Sequence, residues 1–125
     1  MANPNIVNVA AIYGNNASVS LSTTSATSIV SNAASSGKVF KINTIMVANV
    51  DGTNAADITI NKYSAAALGG TAYAIASTIS VPADATLIIV DKTTSIYLLE
   101  NESIGATAGS ASDLVVTASW EEINA

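Results

Sequence analysis

Histidine, cysteine and arginine are all missing from the 125 residues, and charged residues of any kind make up only 10% of the chain. Each absence closes a class of chemistry. Without histidine or cysteine the usual zinc and haem ligands, thiol nucleophiles and Ser-His-Asp hydrolysis lack their ingredients. Four lysines stand against nine carboxylates, for a net charge of -5. That balance provides no basic groove to follow a phosphate backbone, so nucleic acid is not an expected partner. Lacking cysteine, the chain cannot build a disulfide framework, and its redox compartment stays unread. Unbroken apolar runs reach only five residues, as at 9–13, far short of the ~20 that a membrane-crossing helix needs. The first residues carry no positive side chain and lead into no long apolar stretch, so neither a signal peptide nor a membrane partner is expected. The composition points to no cofactor, no metal and no enzyme, and the length suits one domain with one core.

What is present is alternation with period two, and no window sustains the i, i+3, i+4, i+7 spacing of an amphipathic helix. The chain reads as all-β, a single antiparallel β-sandwich over 1–125, of jelly-roll type or a small barrel. Within 38–50, Phe40, Ile42, Met46, Ala48 and Val50 form the expected core face, with Lys41, Asn43 and Asn49 opposite. Ile58 and Ile60 alternate with Thr59 and Asn61. Tyr73, Ile75, Ile79 and Val81 are expected inward, with Ala74, Ala76, Thr78 and Ser80 outward. Leu114, Val116, Ala118 and Trp120 form the inner set of a late strand whose outer set is Val115, Thr117, Ser119 and Glu121. Ala17, Val19 and Leu21 alternate with serines. Shorter strands are predicted at 6–13, 27–31, 87–90, 96–99 and 103–108. The serine- and threonine-rich stretch 20–36 is kept folded because Ile29 and Val30 sit inside it.

Turn residues separate these runs. Asp51, Gly52 and Asn54 suit a tight connection, Gly69 and Gly70 another, and Pro82 ends one strand before the next. Asn101 and Glu102 are expected to turn a hairpin between Leu99 and Ile104. Two N-x-S matches, at Asn16 and Asn101, read as ordinary turns.

An average soluble domain is about 25% charged, so the faces of this one must be covered by something else. The outward positions are small residues, which pack closely and lose little rotamer entropy when buried. A symmetric oligomer or a place in a lattice is the reading they favour. The candidate assembly contacts are Ile6, Val7, Val9, Ala74, Ala76, Thr78, Thr117 and Ser119. Positions 1–8 are a possible N-terminal arm: Pro4 and the asparagines interrupt a core pattern, yet Ile6, Val7 and Val9 are too apolar for a solvated tail. Completing a neighbour's sheet and forming an edge strand of its own sheet remain equal alternatives.

Three constellations invite a chemical reading. Asn49, Asp51, Asn54 and Asp57 crowd oxygens as a calcium loop does, but at no EF-hand spacing, and the same residues are what a turn wants. Glu100 and Glu102 flank Asn101 like an acid and base pair, though solvation on a turn accounts for them better. Glu121 and Glu122 read as guards of an edge strand, or as partners for a lysine of another subunit. Trp120 is expected in the core, with an interface anchor as its alternative. The four tyrosines, Tyr73 inward and Tyr63 outward among them, do not gather into a sugar-binding platform.

Several segments carry a likeness: Asn5-Ile6-Val7-Asn8-Val9, Gly37-Lys38-Val39-Phe40-Lys41-Ile42, Val47-Ala48-Asn49-Val50-Asp51-Gly52, Ile79-Ser80-Val81-Pro82, Ile96-Tyr97-Leu98-Leu99-Glu100 and Ser119-Trp120-Glu121-Glu122-Ile123. In their style and order the chain resembles small virion structural proteins of tailed bacteriophages, particularly those encoded beside head genes in marine and cyanobacterial phages. The resemblance implies a β-sandwich capsid decoration or cement protein, or an accessory neck or tail component; as an alternative, the loops 51–57 and 69–71, rich in small polar residues, suit a tail-associated module that recognises a host surface. The resemblance also implies a homo-oligomer, a trimer by preference, with the major capsid protein or other virion proteins as partners and the virion as location. No catalytic position is carried over.

Overall fold

Almost every alternating stretch becomes a strand in the computed structural model, which describes residues 4–125. In chain order the strands are β1 (Ala11–Ser20), β2 (Thr27–Asn32), β3 (Lys38–Asn49), β4 (Ala56–Ala65), β5 (Gly69–Val81), β6 (Thr86–Val90), β7 (Ile96–Leu98), β8 (Glu102–Ala108) and β9 (Leu114–Asn124). One 3₁₀ turn, Lys92–Thr94, separates β6 from β7, capped by the Asp91 carboxylate, which accepts from the Thr93 amide. The strands form two antiparallel sheets in the orders β1-β9-β3-β6 and β2-β8-β4-β5, with β7 running beside β3 below β6. Counting β6 and β7 as one interrupted strand, this is the strand order of a jelly roll: all-β, two sheets face to face.

The core lies between the sheets. Ile42, Ile45, Val47, Leu114 and Val116 from the first sheet meet Ile58, Ile60 and Ile104 from the second, all fully buried. Trp120 is core, as its phase predicts: it is 7% exposed, and its ring stacks on Phe40 at 6.2 Å between centroids. Ile29 and Val30 anchor the serine-rich stretch through β2.

Two β-bulges overturn the expected faces. Along β3, Ile42 pairs Trp120 but Thr44 pairs Ser119, so Asn43 is an extra residue against β9. An inserted residue reverses the parity of everything after it. Ile45, Val47 and Asn49 therefore face inward, while Met46 and Val50, expected in the core, are exposed. In β5 an extra residue lies between Ile79 and Ala76, where Thr78 takes φ 50° and donates its amide to Thr59 Oγ1 at 3.0 Å. Ala76, expected outside, is 5% exposed, and Tyr73, Ile75 and Ile79, expected inside, are exposed. Only Val81 of that inner set reaches the core.

The predicted hairpin at 99–104 is also corrected. β7 belongs to one sheet and β8 to the other, so Asn101, at φ 58°, turns the chain from sheet to sheet. At the β4–β5 turn Gly70 has φ +70°, and a Cβ there would collide with Ser64 Oγ, so glycine is required.

Candidate assembly surface

No cavity or cleft opens on the described residues; what they present is faces, edges and ends. The registers place Ser18, Thr117, Met46 and Ile88 in one row across the outer face of the first sheet, from β1 through β9 and β3 to β6. Ile88 is 60% exposed and Met46 37%, two large apolar side chains paired on a face with few charges. Neither was expected on an outer face: the bulge hid Met46, read as core, and nothing local distinguishes Ile88 from an inward isoleucine.

The expected assembly contacts fall in three places. Thr117 and Ser119 lie on the outer face of the first sheet. Ala74 and Thr78 are exposed on β5, the edge of the second sheet, whereas Ala76 is a core residue. Ile6 and Val7 are exposed, Val7 at 91%, and Val9 is half-buried. The described part of the expected arm does not extend: Pro4 is buried, and Asn5 closes a turn by accepting from the Val7 and Asn8 amides. The strand expected at 6–13 begins only at Ala11. Residues 1–3 of the arm lie outside the described residues.

Charge is distributed unevenly from end to end. The connections that follow β3, β5 and β8 cluster at one end of the sandwich and bring Asp51, Asp84 and Asp113 there, with Asp57 at the start of β4. None of the four lysines lies at that end. Lys38 starts β3 at the opposite end, where β9 finishes. Of the residues considered for calcium, Asn49, Asp51 and Asn54 serve the turn itself. Asn49, 3% exposed, donates to the Asn54 and Val81 carbonyls and accepts from the Asp51 amide. The Thr53 amide, followed by the amide and side chain of Asn54, holds the Asp51 carboxyl below the usual carboxylate range. Among the described residues no three acidic side chains converge on a metal position.

The glutamates are not the solvated groups expected. Glu102 forms an ion pair with Lys62 at 2.9 Å and accepts from the Leu99 amide. Glu100 is 5% exposed, and its Oε2 has no partner. Glu122 cannot guard an edge, because β9 runs between β1 and β3. Its carboxylate binds Lys38 Nζ at 3.2 Å and Asn15 Nδ2 at 2.5 Å. Burial pushes this carboxyl up, but the hydrogen bonds from Asn15 and Lys38, the Lys38 charge and the nearby Trp120 indole outweigh it and hold the group below its ordinary value. The lysine partner of Glu122 thus lies in the same chain.

No family model matches the sequence, and no curated protein does. Solved structures do. A chain from the Bacillus endospore appendages, described as forming a novel family of disulfide-linked pili, superposes with TM-score 0.52 at 16% identity, over 90% of this chain and 88% of that one. A chain of infectious bursal disease virus, Gx strain, gives TM-score 0.47 at 12% identity, over 91% of this chain and 33% of that one. This chain therefore spans about a third of the viral protein's length. The first likeness shows a shared fold. Since this sequence has no cysteine, a disulfide link between its copies is chemically excluded.

Proposed function

We propose that this chain is a structural subunit of a virion, a capsid decoration or cement protein of a tailed-phage-like particle that acts through contacts between β-sandwiches. The observation that carries the reading is the outer face of the first sheet, where Met46 and Ile88 stand exposed among small residues. The segment resemblance supports the virion, and a shared fold with a pilus-forming protein supports self-association. The partners in this reading are further copies, as a trimer, and the major capsid protein.

A host-surface-binding module of the neck or tail is the alternative. Its two recognition segments, 51–57 and 69–71, lie at opposite ends of the sandwich, because β4 runs the whole length between them. They do not form one binding surface. Mass spectrometry of purified particles tests the proposal. Hundreds of copies per particle support the capsid role, a handful point to neck or tail, and absence from the particle removes the virion reading.

A further inference from the structure

The two sheets present four edges, and three are visibly protected against pairing with another chain. β5 is broken by register shifts and carries Thr78 in the left-handed region. β2 has six residues and a register shift. The β6–β7 edge is interrupted by the 3₁₀ turn beside Asp91 and Lys92. Short strands, bulges and charges are the devices that keep sheet edges from associating.

β1 has none of them. It is ten residues long, contains no charged residue and no proline, and keeps unbroken register with β9 from Ala11 to Ser20. The Leu21 amide donates to the Leu114 carbonyl on the same register, which assigns the odd-numbered residues' backbone groups to β9. The even-numbered residues Ile12, Gly14, Asn16, Ser18 and Ser20 then turn their N–H and C=O groups to the open edge. The Asn16 amide does not bond to β9 either: it donates to Asn15 Oδ1 at 2.9 Å, a local bond that pairing with a second copy replaces.

We infer that β1 pairs antiparallel with β1 of a second copy, about a two-fold axis at Asn16, joining two sandwiches through one continuous sheet. This rests on the self-association in the proposed function and adds to the Met46 and Ile88 face a second contact, at an edge. The occupant is another copy because β1 is self-complementary in this register. Ile12 meets Ser20 and Gly14 meets Ser18 as hydrogen-bonded pairs, and on the inner face the exposed Tyr13 comes opposite Val19 of the second copy, an aromatic against a β-branched side chain. Antiparallel pairing also keeps the two aspartate-bearing ends apart, each lying beside the end of the other copy where Lys38 and Lys62 are already paired with Glu122 and Glu102. The link is pairwise: it makes a dimer of single chains or bridges two larger oligomers.

The decisive variant is Gly14→Pro. It removes an amide hydrogen that β9 does not use, at a position where a Cβ meets nothing within 4 Å, and proline blocks pairing at a sheet edge. Gly14→Ala keeps the amide and serves as the control. Light scattering should show the wild type and Gly14→Ala with an even number of chains, and Gly14→Pro at half that mass with an unchanged circular dichroism spectrum. Hydrogen exchange on the unmodified protein gives a second, independent readout: the Gly14 and Ser18 amides should slow roughly tenfold or more between dilute and concentrated samples. An oligomer in which those amides exchange freely, or a folded Gly14→Pro of full mass, would overturn the β1 contact and leave the virion role standing. A chain that is monomeric at every concentration and absent from particles would overturn both.

Discussion

Asn32 and Asn49 fasten the two sheets to each other from opposite ends of the sandwich. Asn32, on β2 of one sheet, donates to the Lys38 and Leu98 carbonyls of the other, while Asn49, on β3, donates across to the Val81 carbonyl at the end of β5. Both are buried, at 0% and 3% exposure. Removing either leaves buried carbonyls without a donor, at about 1–3 kcal/mol for each group. Asn32→Ala and Asn49→Ala should each lower stability in urea by about 2 kcal/mol or more. Because the sites are far apart, the double variant should lose close to the sum. Strong non-additivity would mean that the two ends are not independent fastenings.

The bulge at Asn43 makes neighbours of opposite kind. Met46→Lys, on the outer face, should change folding stability by no more than about 0.5 kcal/mol, whereas Val47→Lys places an unpaired charge in the core and should abolish folding. Circular dichroism through a urea titration checks both. On the proposed function, Met46→Lys also reduces oligomer mass while the monomer stays folded.

Stability should fall in acid through Glu122. Its folded-state carboxyl lies below the ordinary value of 4.5, so the folded form binds its proton less readily than the unfolded chain does. The stability it contributes is fully present above about pH 4.5 and is lost as pH drops through the lower folded-state value. Asp51 and Asp91, also shifted downward, act in the same direction. The chain's one tryptophan, Trp120, sits beside Glu122 and reports the change by fluorescence. No histidine is present, so the signal should be flat from about pH 6 to 8; a transition in that interval would contradict this account.

At Gly70 the backbone and the packing agree on one residue. Gly70→Ala should cost about 1–2 kcal/mol for the left-handed conformation alone, with a further loss from displacing Ser64 Oγ, which accepts from the Thr71 amide at 2.7 Å. Thermal unfolding measures the sum. A neutral effect would place the β4–β5 turn in a different conformation.

Strand positions were legible in the sequence because alternation is a local signal: Ile58 and Ile60, or Leu114 through Trp120, show it without reference to anything distant. Faces were legible only up to the first bulge. Nothing at Asn43 or Thr78 announces an extra residue, since the pairing that defines it involves strands far away in the chain. The apolar residues Tyr73, Ile75 and Ile79 imitate a core strand although β5 lies at an edge. Asn49 stood out for its oxygens, but its position between the sheets follows from the reversed parity of β3. The Glu122, Lys38 and Asn15 cluster joins β9, β3 and β1, and no spacing within one segment could reveal it. The open edge of β1 was hidden for the same reason, since its free side exists only once β9 occupies the other.

The position of β9 between β1 and β3 also constrains the order of events in folding. β1 has no sheet partner among the described strands except β9, and more than 90 residues separate the two in the sequence. Until β9 is available, β1 has nothing to join, and β3 lacks the strand along one side. The first sheet therefore closes only after β9 leaves the ribosome, and the second sheet, whose β4–β5 hairpin is local, has the opportunity to form earlier. So many distant pairings give slow refolding, on the order of milliseconds to seconds, with the open first sheet as the species a cell must shield.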